Sequence, residues 1–519
     1  MVLPRSKPRS KPRPKPLHKN VVFLTLMALI VAFMMMSVIL YARIKEEPDD
    51  DDLVPKNGIE HHHKHHHHRH HHHNPKEPPP KDTSSSSSLS EQYLGVPPEQ
   101  AIAKFQKDQD DAKEARRKQG ILTPRETFEQ ERFDPEDWER ILKSVQAQRI
   151  PEIPNIPNKT LQEEEEEEEE GDEEAAREPI LVPYDIHDCP LEPPPNYPVA
   201  WNVMQVLDNW NPDDTELLPK YIYQGVCVFD WNNPTHSQKA ENYRRHELPF
   251  VLQNYPETMR AAERWMTPGY LQELAGKDET FPTEHSRNNH FLFWSNTAAV
   301  TKKTPQDYVP PTDMVDMTLA QWHEKADELE HKRRQTRQEH WYLRLNAMLH
   351  NHAYLYEELP FFDPTFGKSI TMVIPEEHQG INCRFGMKGT IAEAHYDSYN
   401  NFIAILGGRR RFILAHPDQC ENLELYPMGH PSARHSRINW SNAYSKWHDS
   451  ERLFAQTRVN ELILQTGDIL FLPTFWFHFI VSLTTTYQCN SRSGSSKEYE
   501  HHISKCGFGP RTEYQRKEV

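Results

Sequence analysis

The sequence predicts a mainly β fold with flanking helices, set behind an N-terminal transmembrane helix and a low-complexity stem. Three observations predict it. AEAHYDSYNNFIAILGGRRRFIL (Ala392–Leu414) is β-patterned and carries a Gly407-Gly408 hairpin turn, and GDILFLPTFWFHFIVSL (Gly467–Leu483) is a second apolar, aromatic run. Val21–Ala42 is unbroken apolar sequence without a charge. A proline-rich start, a His tract and a Glu tract lie before about residue 180, leaving one folded domain after it.

From the N-terminus, residues 1–19 repeat Arg/Lys-Pro units, whose charge and proline resist a packed core, and form a basic cytoplasmic tail. Residues 20–42 read as a signal-anchor, because a helix of about 22 residues spans the roughly 30 Å hydrocarbon core. A cleaved signal peptide has a shorter apolar core and a small-residue cleavage site, whereas this run ends SVILYARIK. Seven Lys/Arg precede it and Glu46–Asp52 is acidic, which keeps the N-terminus cytoplasmic. The expected topology is single-pass type II in the secretory pathway (Golgi or ER), with the remainder lumenal. Residues 43–180 are expected as a disordered stem containing His61–His73 and Glu163–Glu170. Two pieces of it have helical character, Pro98–Gln119 and Phe133–Arg149, the latter through Trp138, Ile141, Leu142 and Val145.

Apolar density rises from about Leu181. Residues 181–245 read as an N-terminal extension, 246–500 as the main domain and 501–519 as a tail. Tyr221–Trp231 reads as strand, turn and strand. Further strands are expected in Leu248–Pro256, Trp341–Leu345, Met372–Pro375, Ile381–Phe385 and Arg409–Leu414, and helices at Glu257–Gly276 and Thr318–Gln338. The net charge of −17, with no basic patch beyond the N-terminus, argues against a nucleic-acid partner.

His395 and Asp397 are two apart in a β-patterned run, so their side chains are expected on one face, with odd-numbered Tyr399 and Asn401 beside them. His478 lies in the second run. Two imidazoles and a carboxylate on neighbouring strands make a facial triad, which holds Fe(II) and leaves coordination sites open. A second His-x-Asp, His416-Pro417-Asp418, has a proline that reads as a strand exit. Spacing alone leaves two readings open, a metal triad and a pair of core-satisfied polar residues.

The blocks GMKGTIAEAHYDSYNNFIAILGGRRRFIL, LYPMGHPSARHS and GDILFLPTFWFHFIVSL resemble the JmjC/cupin-type 2-oxoglutarate oxygenases. The pattern is nearest to the asparaginyl hydroxylase branch that acts on hypoxia-inducible factor, over about Leu248–Asn490. The resemblance implies a double-stranded β-helix of the cupin/jelly-roll kind, two antiparallel sheets closing on a pocket. It implies His395, Asp397 and His478 as ligands of Fe(II), with 2-oxoglutarate as co-substrate beside O2. It places Asn401 and Asn490 in the co-substrate pocket and Tyr342 on the distal carboxylate. Arg410 stands where that branch has a lysine, and can grip a carboxylate with two parallel bonds. Ala392 stands where it has a threonine, so one hydroxyl contact is missing. The implied activity is hydroxylation of a protein or peptide side chain, on a lumenal or cell-surface polypeptide given the topology. The alternative is a membrane-tethered, non-catalytic cupin scaffold whose His tract binds metal.

Six cysteines allow up to three disulfides in fifteen pairings, none deducible from sequence. Cys383 and Cys489 fall in expected barrel strands and read as buried thiols, whereas Cys189 and Cys227 can staple the extension. Asn158-Lys-Thr and Asn439-Trp-Ser are glycosylation sequons.

Overall fold

The computed structural model describes residues 96–132, 137–149, 153–155, 182–216, 218–295, 308–332, 338–349, 351–442 and 452–509. Its strands are, in order, β1 (Trp201–Asn202), β2 (Val228–Asp230), β3 (Phe250–Gln253), β4 (Thr280–Ser286) and β5 (His290–Phe291). Then come β6 (Asp313–Thr318), β7 (His340–Ala347), β8 (Ile381–Gly386), β9 (Ile391–Tyr396) and β10 (Asn401–Gly407). The last are β11 (Arg409–Ala415), β12 (Arg458–Gln465), β13 (Ile469–Leu472), β14 (Phe477–Ser482) and β15 (Thr486–Arg492). Six form one sheet in the order β1-β12-β11-β14-β9-β5, and nine form another in the order β2-β3-β13-β10-β15-β8-β7-β4-β6.

The pattern of β10 shows how the layers are built. Phe402, Ala404 and Leu406 pack in a core shared with Ala261 and Trp265 of helix Pro256–Met266. Ile403 and Ile405 turn the other way, into a second core drawn from both sheets. A strand buried on both faces is apolar at nearly every position, as NFIAILG is. Helix Leu319–Glu330 covers the first core with Trp322 and Ala326, and Thr318 and Gln321 start it with a reciprocal capping box.

Several expectations are corrected. Ala392–Leu414 is three strands rather than two. Asp397–Asn400 separates β9 from β10, and these belong to different sheets. Gly407-Gly408 is no hairpin turn, because β10 and β11 also lie in different sheets; it is a corner. Gly408 has φ +76° there, and a Cβ would lie 2.0 Å from the Thr485 carbonyl oxygen, so only glycine fits. Glu257–Gly276 is two helices, Pro256–Met266 and Tyr270–Ala275, broken at Thr267-Pro268-Gly269. Tyr221–Trp231 contributes only β2 and a single bridge from Ile222. Met372–Pro375 is a turn, with Pro375 opening a short 3-10 helix.

The expected disordered stem contains three helices, Pro98–Gln119, Pro124–Arg132 and Asp137–Gln146. Phe105 packs edge-on against Tyr356 at 5.2 Å, and Arg116 grips the Glu357 carboxylate with bonds of 2.8 and 2.9 Å. Ile141 and Val145 pack on Met259 and Ala262. Each helix carries few apolar side chains, which need an outside surface, and the domain supplies it. At the other end the expected tail also joins the domain, since Ile503 and Phe508 are buried. Val21–Ala42, the His and Glu tracts and Asn158 lie outside the described residues, and no described helix is long and apolar enough to cross a membrane.

All six cysteines pair, as Cys189–Cys227, Cys383–Cys489 and Cys420–Cys506. Cys383 and Cys489, expected as thiols, are joined because the β8·β15 register sets them opposite each other, with Cα atoms 4.0 Å apart.

Candidate metal centre

β9 and β14 run antiparallel with His395 directly opposite His478, and the two imidazole centroids are 4.2 Å apart. Asp397 follows one residue after β9 ends, and its carbonyl, accepting from the Phe475 N–H at 2.8 Å, anchors that bend. One potential ligand atom from each of the three residues lies within 4.8 Å of the others.

Their surroundings fit them for a divalent cation. Nδ1 of His395 meets the Glu393 carbonyl at 2.7 Å, and Nδ1 of His478 meets the Trp476 carbonyl at 3.1 Å. A carbonyl accepts only from a protonated nitrogen, so both rings present Nε2 as the lone-pair donor. Burial pushes both imidazoles down, His395 well below the usual range with His478 and His435 adding to it, so both are neutral. Burial also pushes the Asp397 carboxyl up, but the positive charge beside it, Arg492 foremost and then Arg434, holds the group ionised, well below the usual range. Neutral imidazoles and an ionised carboxylate are the protonation states that a metal requires. The Asp397 contacts with Arg492 (2.8 Å) and the Asn401 side-chain amide (3.1 Å) both fall on Oδ2, which leaves Oδ1 for the metal.

The remaining sequence-assigned residues divide into two groups. Asn490 donates to the Asn401 side-chain oxygen at 3.0 Å, so these two form a relay ending on Asp397. Arg410 and Tyr342 meet elsewhere on the inner surface, where the guanidinium donates to the phenol oxygen at 3.1 Å, to Gln488 at 2.7 Å and to Thr486 at 3.0 Å. Register pairs Arg410 with Ser482 and Leu414 with His478, so Arg410 and His478 share a face of the six-stranded sheet. Gly386 gives that guanidinium its room, since a Cβ there would lie 2.6 Å from Nη2. Ala392 pairs with Ile480 and offers no polar atom to the pocket. His416-Pro417-Asp418 leaves the strand as expected, and Pro417 begins a 3-10 helix.

Sequence reasoning missed Arg492, Arg384, Arg344 and His435. Arg492 and Arg344 are each two residues beyond a residue already assigned to the site (Asn490 and Tyr342), and Arg384 lies in the expected strand Ile381–Phe385, so strand alternation was the available signal. His435 lies in the loop LYPMGHPSARHS, which has no such period. Its buried ring stacks on His395 at 4.7 Å, and burial pushes it down to about 3.

Residues 236–494 match the cupin-like domain family. The chain is 32% identical over 114 residues to lysine-specific demethylase 8 of Xenopus tropicalis, covering 22% of this chain and 24% of that protein. It is 26% identical over 237 residues to Jumonji C domain-containing protein 5 of Drosophila melanogaster, 45% of this chain and 51% of the relative. Similarity to tRNA wybutosine-synthesizing protein 5 of Mus musculus is 31% over 122 residues, 23% of this chain and 36% of the relative. The chain spans about half or less of the length of these relatives. Fold, site geometry and these similarities agree: the chain contains a cupin-like domain of the JmjC kind.

Proposed function

We propose that the chain is an Fe(II)- and 2-oxoglutarate-dependent dioxygenase that hydroxylates a side chain of a lumenal or cell-surface polypeptide. The observation that carries this is the convergence of His395, Asp397 and His478, with both Nε2 atoms and Oδ1 free of hydrogen-bond partners among the described residues. Bound Fe(II), with 2-oxoglutarate and O2, supplies oxidative decarboxylation coupled to C–H hydroxylation. The chain's own residues bind and orient. His395 and His478 are fixed by their carbonyl partners, Asn490 and Asn401 steady Asp397, and Arg410 with Tyr342 holds the far carboxylate of the co-substrate. JmjC relatives support the oxygenase class, and the three sequence blocks support kinship with the asparaginyl hydroxylases.

The lumenal placement draws on the fully paired cysteines, since disulfides persist in oxidising compartments. It also draws on the charge asymmetry around Val21–Ala42 and on exposed Asn439 in its sequon. Protease protection of the C-terminal part in sealed microsomes tests it, and digestion in intact vesicles refutes it.

The non-catalytic scaffold remains the second reading, favoured by the Arg492–Asp397 ion pair, which satisfies the carboxylate without a metal. One experiment separates the two. Full-length protein is reconstituted with Fe(II), analysed for metal, and titrated anaerobically with 2-oxoglutarate for a weak visible charge-transfer band. The enzyme reading expects one iron and a saturable band, both lost in Asp397→Asn and His395→Ala. No band at millimolar 2-oxoglutarate refutes it.

A further inference from the structure

We propose that the pocket takes a substrate bearing a carboxylate, held by Arg344 and Arg384 beside the metal triad. The reaction performed there rests on the dioxygenase reading; the binding does not.

The argument begins with register. Leu343, Leu345, Cys383, Phe385 and Cys489 face the helix-covered core, so Arg344, Arg384, Gln488 and Arg492 point to the opposite, inner side of the same sheet. Arg344 lies directly opposite Arg384, and Arg384 opposite Gln488, whose side chain accepts from Arg410. Three guanidinium groups, those of Arg344, Arg384 and Arg492, thus line one wall, and Arg410 of β11 reaches Gln488 on it from the other sheet.

Their partners do not balance them. Arg492 pairs with Asp397 and Arg344 with Glu284. Arg410 has only neutral acceptors, and Arg384 donates to the Asn346 side chain at 2.6 Å and the Cys383 carbonyl at 2.9 Å. Neither has a carboxylate within ion-pair distance among the described residues. The Nε atoms of Arg344 and Arg492 are buried without a hydrogen-bond partner. Burial, with Arg384 and Arg492 nearby, pushes Arg344 well below the usual arginine range although it pairs with Glu284. Fe(II) and 2-oxoglutarate carry two charges each and cancel, so loading the site leaves the excess in place. Buried charges are normally paired, so the excess calls for a further anion. Two guanidiniums on adjacent strands suit the planar two-oxygen edge of a carboxylate.

The source of the carboxylate is an acidic side chain of a polypeptide or a small free acid, and the test has an arm for each. Full-length protein loaded with Fe(II) and 2-oxoglutarate under argon is titrated calorimetrically with acetyl-Gly-Asp-Gly-amide, its Asn counterpart, and propanoate. The Asp peptide is expected to bind at least tenfold more tightly than the Asn peptide. Arg344→Gln and Arg384→Gln should each bring that ratio towards one, while Arg384→Lys keeps part of it. Propanoate binding as tightly as the Asp peptide assigns a free acid, and weaker binding assigns the polypeptide. Equal affinity for the Asp and Asn peptides, no binding by any probe at millimolar concentration, or a ratio indifferent to both Gln variants overturns the proposal. Repeating the titration without metal separates the two readings. An acid preference in a protein that never turns over 2-oxoglutarate sinks the dioxygenase and spares this inference, and turnover without acid preference does the reverse.

Discussion

Truncating Arg410 to alanine removes the group assigned to the far end of 2-oxoglutarate. The side chain is 1% exposed and donates to Tyr342, Gln488 and Thr486, which hold it in place. A hydrogen bond to a charged group is worth roughly 1.5–3 kcal/mol, which corresponds to a rise of about 10- to 150-fold in the 2-oxoglutarate midpoint. Arg410→Lys keeps the charge but cannot serve Tyr342, Gln488 and a carboxylate at once, so its midpoint should rise less, on the order of tenfold. Losing the donors to Gln488 and Thr486 also costs about 1–3 kcal/mol of stability, which thermal unfolding reads separately. The assay is the anaerobic titration at fixed Fe(II), with bound iron measured in parallel. Arg410 lies apart from the triad, so iron retention should hold while the midpoint moves. If Arg410→Ala binds iron normally and its midpoint stays within about twofold of wild type, the anchor is wrongly assigned.

Three other outcomes follow from the packing. Gly386→Ala would place a Cβ 2.5 Å from Ser482 Oγ and 2.6 Å from Arg410 Nη2, so it should raise the 2-oxoglutarate midpoint without touching a ligand; an unchanged midpoint would show that the guanidinium yields freely. A chain beginning at residue 181 loses the partners of Met259, Ala262 and Tyr356. At about 1.5–3 kcal/mol per buried apolar side chain, its Tm should fall by at least ~5 °C, and an equal Tm would make those helices dispensable. The third concerns His290. Burial pushes it down, but Asp213 and Glu393 outweigh that and raise it to about 10, above the ordinary 6.5. Its stabilising contribution is therefore full below pH 6.5 and lost as pH climbs through about 10. Urea unfolding across that range should decline in wild type and flatten in His290→Gln; parallel curves would refute the linkage.

What the sequence disclosed depended on whether chemistry or packing set the feature. His395, Asp397 and His478 were legible because ligand residue types are few and strand alternation is strict. The partner sheet of each strand was not, because β10 is apolar on both faces and its neighbours are decided by long-range pairing. Gly407-Gly408 did mark the end of a strand, but two glycines serve a corner between sheets as readily as the expected hairpin. The helices before residue 150 looked too polar to fold, since Phe105 or Val145 becomes buried only once Tyr356 or Met259 is in place. The Cys383–Cys489 bond needed the β8·β15 register, which composition does not encode.

That bond has a bearing on how the pocket can be altered. It lies behind the wall whose front carries Arg384, Gln488, Asn490 and Arg492, and it welds the two strands at a single pairing. A slip of one residue would turn every one of those side chains to the wrong side. With the backing welded, the front becomes tolerant ground. Charge or bulk can be exchanged residue by residue, in a laboratory or over evolutionary time, while the alignment of the wall stays put.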